Sequence, residues 1–188
     1  MRRPELIAIG CSQGGFNALR ILLGGLDRRL SQTLLVCCHT SGNVDSLCEL
    51  LGNHSALPVM EARERQLATG GAVHIAPGGY HLLIENDRHF ALSVDEQVCH
   101  SRPSIDVMFS SATDVYHSAM IGVILTGANR DGAEGLARIR QRGGIAVVQD
   151  PENADASAMP CAALDLAGAD YCVALEQIAP LLNHLCLA

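Results

Sequence analysis

The sequence predicts an α/β fold, a three-layer sandwich in which a doubly wound, mostly parallel sheet carries an appended β-meander. Short apolar runs rich in Ile, Leu and Val recur along the chain, which is typical of parallel strands buried on both faces. Apolar residues at helical spacing follow most of these runs, and glycines end several helical segments. Right-handed crossovers between parallel strands then place helices on both faces of the sheet.

The amino-terminal part alternates between strand and helix. Its predicted elements are a strand over residues 6–9, a helix that follows Gly10 and ends at Gly24 and Gly25, a strand over residues 33–38, and a helix over residues 44–51. The apolar face of the first helix is expected to contain Phe16, Leu19, Leu22 and Leu23. A polar loop after His39 joins the second strand to the second helix.

Between Val59 and Val94 the spacing of apolar residues changes from helical to alternating. Apolar residues alternate over residues 73–76, 80–84 and 90–94, with a Pro-Gly-Gly turn and an Asn-Asp turn between these segments. This pattern predicts the β-meander appended to the sheet.

Strands and helices alternate again in the carboxyl-terminal part. Ser104 is a predicted N-cap, because Ile105, Met108, Phe109 and Ala112 then lie on one helical face. Further elements are strands over residues 120–125, 145–149 and 171–175, helices over residues 133–142 and 176–186, and a loop over residues 150–160 that leads into a short helix ending at Leu166.

The composition predicts a soluble, cytoplasmic protein made of one domain, residues 1–188. The net charge of -7 and the low charged fraction of 18% argue against a nucleic-acid surface. No apolar run approaches the roughly 20 residues that cross a bilayer, so no membrane insertion is expected. The eight cysteines are expected to be reduced thiols, because the sequence shows no signal peptide and is too long to need disulfides for stability. Since no CxxC or zinc-type spacing occurs, no metal is expected, and no cofactor is predicted either.

Three loops that each follow an apolar run contain the residue types of a serine hydrolase. Ser12 follows LIAIGC, His39 follows LLVCC, and Asp131 follows MIGVILT and its GANR loop. Parallel sheets place ligand sites at the carboxyl ends of their strands, so these side chains are expected to meet at one edge. A serine hydroxyl needs a base to remove its proton, and the imidazole needs an acid that holds its tautomer.

Each of these residues also has a simpler interpretation. The Gly-rich turn around Ser12 resembles a phosphate-binding loop, but a dinucleotide-binding fold would place Asp or Glu, not His39, after the second strand. Spacing leaves Asp106 and Asp150 as rivals of Asp131 for the acid. Most other histidines are expected to be structural, with His81 and His100 notable because they border loops marked by glycine or proline.

Five segments, found in the same order along nearly the whole chain, resemble one family. They are IAIGCSQGG, VHIAPGGYHLL, SRPSIDVMFSSA, GVILTGANRDGAEGL and the AMP before the penultimate helix. The family is the bacterial chemotaxis protein-glutamate methylesterases, in their CheB-type catalytic domain. This resemblance implies that Ser12, His39 and Asp131 are the catalytic triad. It also implies an oxyanion hole built from the backbone amides of Gln13 and Ala128.

The family resemblance also implies a substrate and partners. These are methyl-accepting chemoreceptor proteins, whose glutamyl methyl esters are hydrolysed and whose glutamines are deamidated for sensory adaptation. The sequence lacks the amino-terminal receiver domain of the family, which predicts either a stand-alone esterase, served by a separate regulatory partner, or a domain excised from a longer chain.

Several residues depart from the family pattern. Gln13 replaces Thr or Ser, Ala128 replaces Met, Asn129 replaces Gly, and Cys161 follows Met159-Pro160 where a basic residue is usual. The oxyanion donors are backbone groups, so catalysis is expected to survive while the pocket wall changes.

These departures keep two alternatives open. One is an esterase that acts on a non-chemotactic methylated protein, and the other is a catalytically silent module that docks on receptor helices. A nucleotide-binding protein is less favoured, because the acidic residue after the second strand is missing.

Overall fold

The computed structural model describes residues 3–39 and 44–187, which contain a seven-stranded, fully parallel sheet with helices on both faces. The strand order is β3-β4-β2-β1-β7-β8-β9, and β5 pairs with β6 in a separate antiparallel hairpin. In chain order the elements are β1 (Leu6–Cys11), α1 (Gly15–Gly24), β2 (Thr33–Cys38), α2 (Val44–Gly52), β3 (Val59–Glu61), β4 (Ala72–Ile75), β5 (His81–Ile84), β6 (Phe90–Ser93), α3 (Ile105–Tyr116), β7 (Met120–Ile124), α4 (Ala133–Gln141), β8 (Ile145–Gln149), α5 (Ala158–Ala167), β9 (Tyr171–Val173) and α6 (Leu175–Leu187).

Side chains of the central strands alternate between two hydrophobic cores. In β1, Ile7 and Ile9 pack with α1, α2 and α6, whereas Leu6 and Ala8 pack with α3, α4, α5 and the hairpin. This alternation follows from the two-residue period of a strand, and burial on both faces explains the continuous apolar runs. The predicted three-layer α/β fold is confirmed.

The strand register brings the predicted loops to one edge of the sheet. Cys11 of β1 pairs with Cys38 of β2, and Gly10 pairs with Ile124 of β7. Because all three strands run parallel, the residues that follow them leave the sheet at the same edge. Ser12 and His39 are therefore neighbours across the β1–β2 ladder.

The β-meander differs from its prediction in one strand. Only β5 and β6 are antiparallel, whereas β4 lies between β2 and β3 and is parallel to both. All four residues of β4 are buried, including His74, as in an interior parallel strand. Because the polar His74 interrupts the apolar run, the sequence of β4 has the alternating pattern of a half-exposed strand. The short edge strand β3 was not predicted.

Two smaller predictions are also wrong. Phe16 is 42% exposed, so it does not belong to the buried face of α1, which instead contains Gly15 and Ala18. Pro160 lies inside α5 and not in the preceding loop, because a helix tolerates proline in its first turn, where amide groups have no intrahelical partner. The polar loop predicted after His39, residues 40–43, lies outside the described residues.

Two further features of the described residues concern helix length and the cysteines. No helix within residues 3–39 and 44–187 is long and apolar enough to cross a membrane. All eight cysteines lie in these ranges, and each is a free thiol.

The contact between α3 and α4 gives a test of the fold. A methyl group on Gly135 of α4 would lie 2.6 Å from Phe109 Cβ and 3.3 Å from the Asp106 backbone. We expect Gly135→Ala to lower the free energy of unfolding by about 1–3 kcal/mol, because the two helices must move apart. Denaturant unfolding measures the change.

The matched control for this substitution is Gly52→Ala. Gly52 ends α2, and an added methyl group would meet no atom within 4 Å. Its effect should stay within about 0.5 kcal/mol. Equal stability of the two variants would contradict the close approach of α3 and α4.

Candidate active site

Ser12 lies in the turn between β1 and α1. Its backbone N–H donates to the carbonyl of Thr126 at 2.9 Å, and its own carbonyl accepts from Gly15 N at 2.8 Å. The residue is half-buried, directly before the amino terminus of α1. Helix amino termini present unpaired N–H groups and a positive partial charge, so this turn suits a group that develops negative charge.

His39 extends the ladder between β1 and β2 by one residue. Its backbone N–H donates to the carbonyl of Cys11 at 3.1 Å, which places it beside Ser12. The imidazole Nε2 lies 2.8 Å from Asp131 Oδ2, and the His39 side chain is only 11% exposed.

Asp131 is fully buried at the end of the loop between β7 and α4. Besides His39, its carboxylate accepts hydrogen bonds from the Ser104 hydroxyl at 2.8 Å, from Ile105 N at 2.7 Å and from Asp106 N at 3.0 Å. These three donors form the amino terminus of α3. The helix end therefore supplies the polar partners that a buried carboxylate needs.

The pKa of Asp131 lies below its ordinary value. Burial by itself would raise this pKa, but the hydrogen bonds from His39, Asp106, Ile105 and Ser104 outweigh it. An ionised carboxylate can only accept, so Nε2 of His39 is the protonated nitrogen and Nδ1 is the free base. This assignment of the tautomer leaves Nδ1 as the atom that can take a proton from a nucleophile.

The structure places Ser101, a residue that sequence reasoning missed, at this base nitrogen. Ser101 Oγ lies 3.2 Å from Nδ1 of His39. Within the described residues no hydrogen bond links the Ser12 hydroxyl to His39, although their backbones are adjacent. Asp131 is thus hydrogen-bonded to His39, and Ser12 lies at the same edge of the sheet. The Ser101 hydroxyl is the group that contacts Nδ1 of the His39 ring.

A second group of contacts, which sequence reasoning also missed, holds Ser104 in position against Asp131. Ser104 N donates to His81 Nδ1 at 3.2 Å, and His81 Nε2 donates to the carbonyl of Glu96 at 2.9 Å. His81 is 1% exposed, so it orients Ser104 without facing the cleft. The predicted N-cap role of Ser104 is confirmed, since its hydroxyl also accepts from Val107 N. The SRPS segment already contained both Ser101 and Ser104.

The two rival acids have other partners. Asp106 accepts from Gly135 N at 2.7 Å, and Asp150 caps a short 3-10 helix through Glu152 N at 3.0 Å. Burial raises the pKa of Asp106 to about 6, and the nearby charge of Asp131 adds to this rise.

One group of side chains has the residue types of a metal site. Cys99, Asp106 and Asp131 place one ligand atom each within 4.8 Å of one another. Both Asp131 oxygens already accept two hydrogen bonds each, so a cation would have to displace them.

Two backbone N–H groups in the loops at this edge of the sheet make no hydrogen bond within the described residues. They belong to Gln13, directly after Ser12, and to Ala128, in the loop before Asp131, and both residues are exposed. Such free donors are the groups that can bind a developing oxyanion.

Comparison with known proteins reveals a family match over most of the chain. The family model of the CheB methylesterase matches residues 7–182. The crystal structure of the Thermotoga maritima CheB methylesterase catalytic domain superposes with a TM-score of 0.93 at 30% identity, covering 97% of this chain and 98% of that one.

Curated relatives carry matching names. A protein-glutamate methylesterase/protein-glutamine glutaminase of Symbiobacterium thermophilum is 37% identical over 176 residues, and protein-glutamate methylesterase FrzG of Myxococcus xanthus is 37% identical over 174 residues. The matches cover 93% and 92% of this chain but only 49% and 52% of those relatives. A Leptospira interrogans protein with a name of the same class is 43% identical over 185 residues, 96% of this chain and 94% of that protein.

The raised pKa of Asp106 predicts a pH dependence of stability. Folding raises this pKa from the usual value near 3.8 to about 6, so the native state holds the proton more tightly than the unfolded chain. The free energy of unfolding should therefore fall as the pH rises from about 4 to about 6. We expect the free energy of unfolding of Asp106→Asn not to fall over this pH interval. Urea unfolding at a series of pH values measures the difference.

Asp165→Asn is the control, since Asp165 is an exposed carboxylate on α5. It should keep the wild-type dependence on pH. An Asp106→Asn variant that loses stability over the same window as the wild type would refute the assignment.

Proposed function

Because the chain belongs to the CheB methylesterase family, we propose that it is a protein-glutamate methylesterase that uses Ser12 as nucleophile, His39 as base and Asp131 as acid. The substrates are glutamyl methyl esters on the cytoplasmic helices of methyl-accepting chemoreceptors, and the enzyme works in the cytoplasm. Free thiols throughout the chain support that location. Residues 1–188 act as one catalytic domain.

The bond between Asp131 and His39 is the observation that carries the proposal. The 2.8 Å contact to Nε2, together with the three donors from α3, fixes the imidazole with Nδ1 unprotonated and able to act as base. Ser12 leaves the neighbouring strand at the same edge. A serine hydrolase needs this combination of an oriented base and an adjacent nucleophile.

The reaction proceeds through an acyl-enzyme. Ser12 Oγ attacks the ester carbonyl carbon while its proton moves to His39 Nδ1, and the negative oxygen of the tetrahedral intermediate binds the Gln13 and Ala128 amides. The C–O bond to the methoxy group then breaks, and Nδ1 returns the proton to give methanol. Water repeats the sequence on the acyl-enzyme and leaves the glutamate carboxylate and free Ser12.

Glutamine deamidation fits the same steps. The carboxamide nitrogen replaces the methoxy oxygen as leaving group and departs as ammonia. The names of the relatives include this second activity, protein-glutamine glutaminase, which supports it for this chain as well.

Ser101 marks the position that Ser12 must reach. Its hydroxyl donates to Nδ1 at 3.2 Å in the free enzyme. Because Nδ1 has one lone pair, the Ser101 hydroxyl must leave it before Ser12 Oγ or the departing methanol oxygen can form a hydrogen bond there.

Substitution of the two serines distinguishes their roles. Ser12→Ala should lower methanol release from methyl-labelled chemoreceptor membranes by about 10⁴-fold or more, because the nucleophile is lost. Ser101→Ala should stay within about tenfold of the wild type, since one neutral hydrogen bond contributes about 0.5–1.5 kcal/mol. Both variants should show wild-type circular dichroism and unfolding temperatures.

A serine-directed fluorophosphonate separates the remaining outcomes. Labelling of Ser12 without methanol release from any receptor would indicate a different methylated substrate. Labelling of Ser101, with activity retained in Ser12→Ala, would transfer the nucleophile role to Ser101. Absence of labelling in the folded wild type would favour a silent docking module.

A further inference from the structure

Thr126 joins three chain segments around the proposed nucleophile. It follows β7 and is 1% exposed. Its hydroxyl donates to the carbonyl of Gln13 at 2.9 Å and accepts from Ala156 N at 2.8 Å. A hydroxyl can donate and accept through one atom, so a single side chain ties the turn after β1 to the loop after β8.

The main chain of Thr126 holds the same turn from its other side. Its carbonyl accepts from Ser12 N at 2.9 Å, while its own N–H donates to the Gln149 side chain at 2.9 Å. Thr126 therefore contacts Ser12 through the backbone and Gln13 through the side chain. Between these two contacts lies the peptide group that presents the free N–H of Gln13.

The second free amide is fixed by the same loop. Ala128 comes two residues after Thr126, and Gly127 between them donates to the carbonyl of Ala156 at 3.0 Å. The Thr126 hydroxyl accepts from the N–H of the same Ala156. The separation of the Gln13 and Ala128 amides thus depends on the Thr126 hydroxyl, which contacts both segments.

We infer that Thr126 is a positioning residue for the oxyanion hole, acting through the Gln13 carbonyl to set the direction of the Gln13 amide. The inference rests on the proposed function in taking Ser12 as nucleophile. Thr126 touches neither substrate nor reacting atoms. Its effect appears in the transition state, where the oxyanion forms, and not in substrate binding.

The test compares Thr126→Val, which keeps the shape and loses the hydroxyl, with Thr126→Ser, which keeps the hydroxyl. We expect Thr126→Val to lower kcat by about 10- to 100-fold with KM within about threefold, less than the loss of a donor outright. Thr126→Ser should recover kcat to within about threefold of the wild type, since the Gln13 contact is restored.

Gln149→Leu is the matched control for general loosening of this region. It removes the bonds of the Gln149 side chain to Thr126 N and to Asn153 but leaves the Thr126 hydroxyl bonded to the Gln13 carbonyl. Its kcat should stay within about threefold of the wild type. Equal losses of kcat in Gln149→Leu and Thr126→Val would overturn the inference in favour of a structural role.

The rate of fluorophosphonate labelling at Ser12 provides a readout that does not need the natural substrate. A tetrahedral phosphonyl oxygen uses the same donors, so Thr126→Val should label about 10- to 100-fold more slowly. Wild-type labelling without methanol release would defeat the proposed substrate but still test Thr126. A folded Thr126→Val that labels at the wild-type rate overturns the inference. The inference is also overturned if Thr126→Val and a smaller variant, Thr126→Ala, both fail to fold at 10 °C, because the role of Thr126 would then be structural.

Discussion

The buried charge of Asp131 is the constraint on which the site depends. A carboxylate with no solvent contact is stable only where donors replace its lost hydration, and here three donors come from the first residues of α3. The helix end must therefore sit directly against the loop after β7. Gly132 permits this approach, because a side chain there would meet Ile105 at 2.7 Å, and its φ of 98° suits glycine.

The parallel register supplies the other half of the site. β1, β2 and β7 end together, so Ser12, His39 and the loop that ends at Asp131 leave the sheet side by side. Side chains alternate into two packed cores, which prevents any strand from slipping by one residue without exchanging its buried faces. Core packing thus fixes the distances that the chemistry requires.

Backbone groups carry much of the proposed chemistry. The Gln13 and Ala128 amides make no hydrogen bond within the described residues, while side chains such as Thr126 and Ser104 hold backbone groups in place. This division explains how Gln13, Ala128 and Asn129 can depart from the family pattern while the arrangement of the site persists.

The sequence by itself determined the α/β class, most strand and helix positions and the three loops of the proposed triad, because periodicity and glycine punctuation are local signals. From spacing alone, Asp106, Asp150 and Asp131 were equal candidates for the acid of the triad. The acid that contacts His39 depends on distances between segments that are remote in the sequence. Only the tertiary structure placed β4 inside the parallel sheet, Ser101 on Nδ1 of His39 and Thr126 on Gln13. These contacts join residues 62 and 113 positions apart, or pair strands whose partners no local pattern specifies.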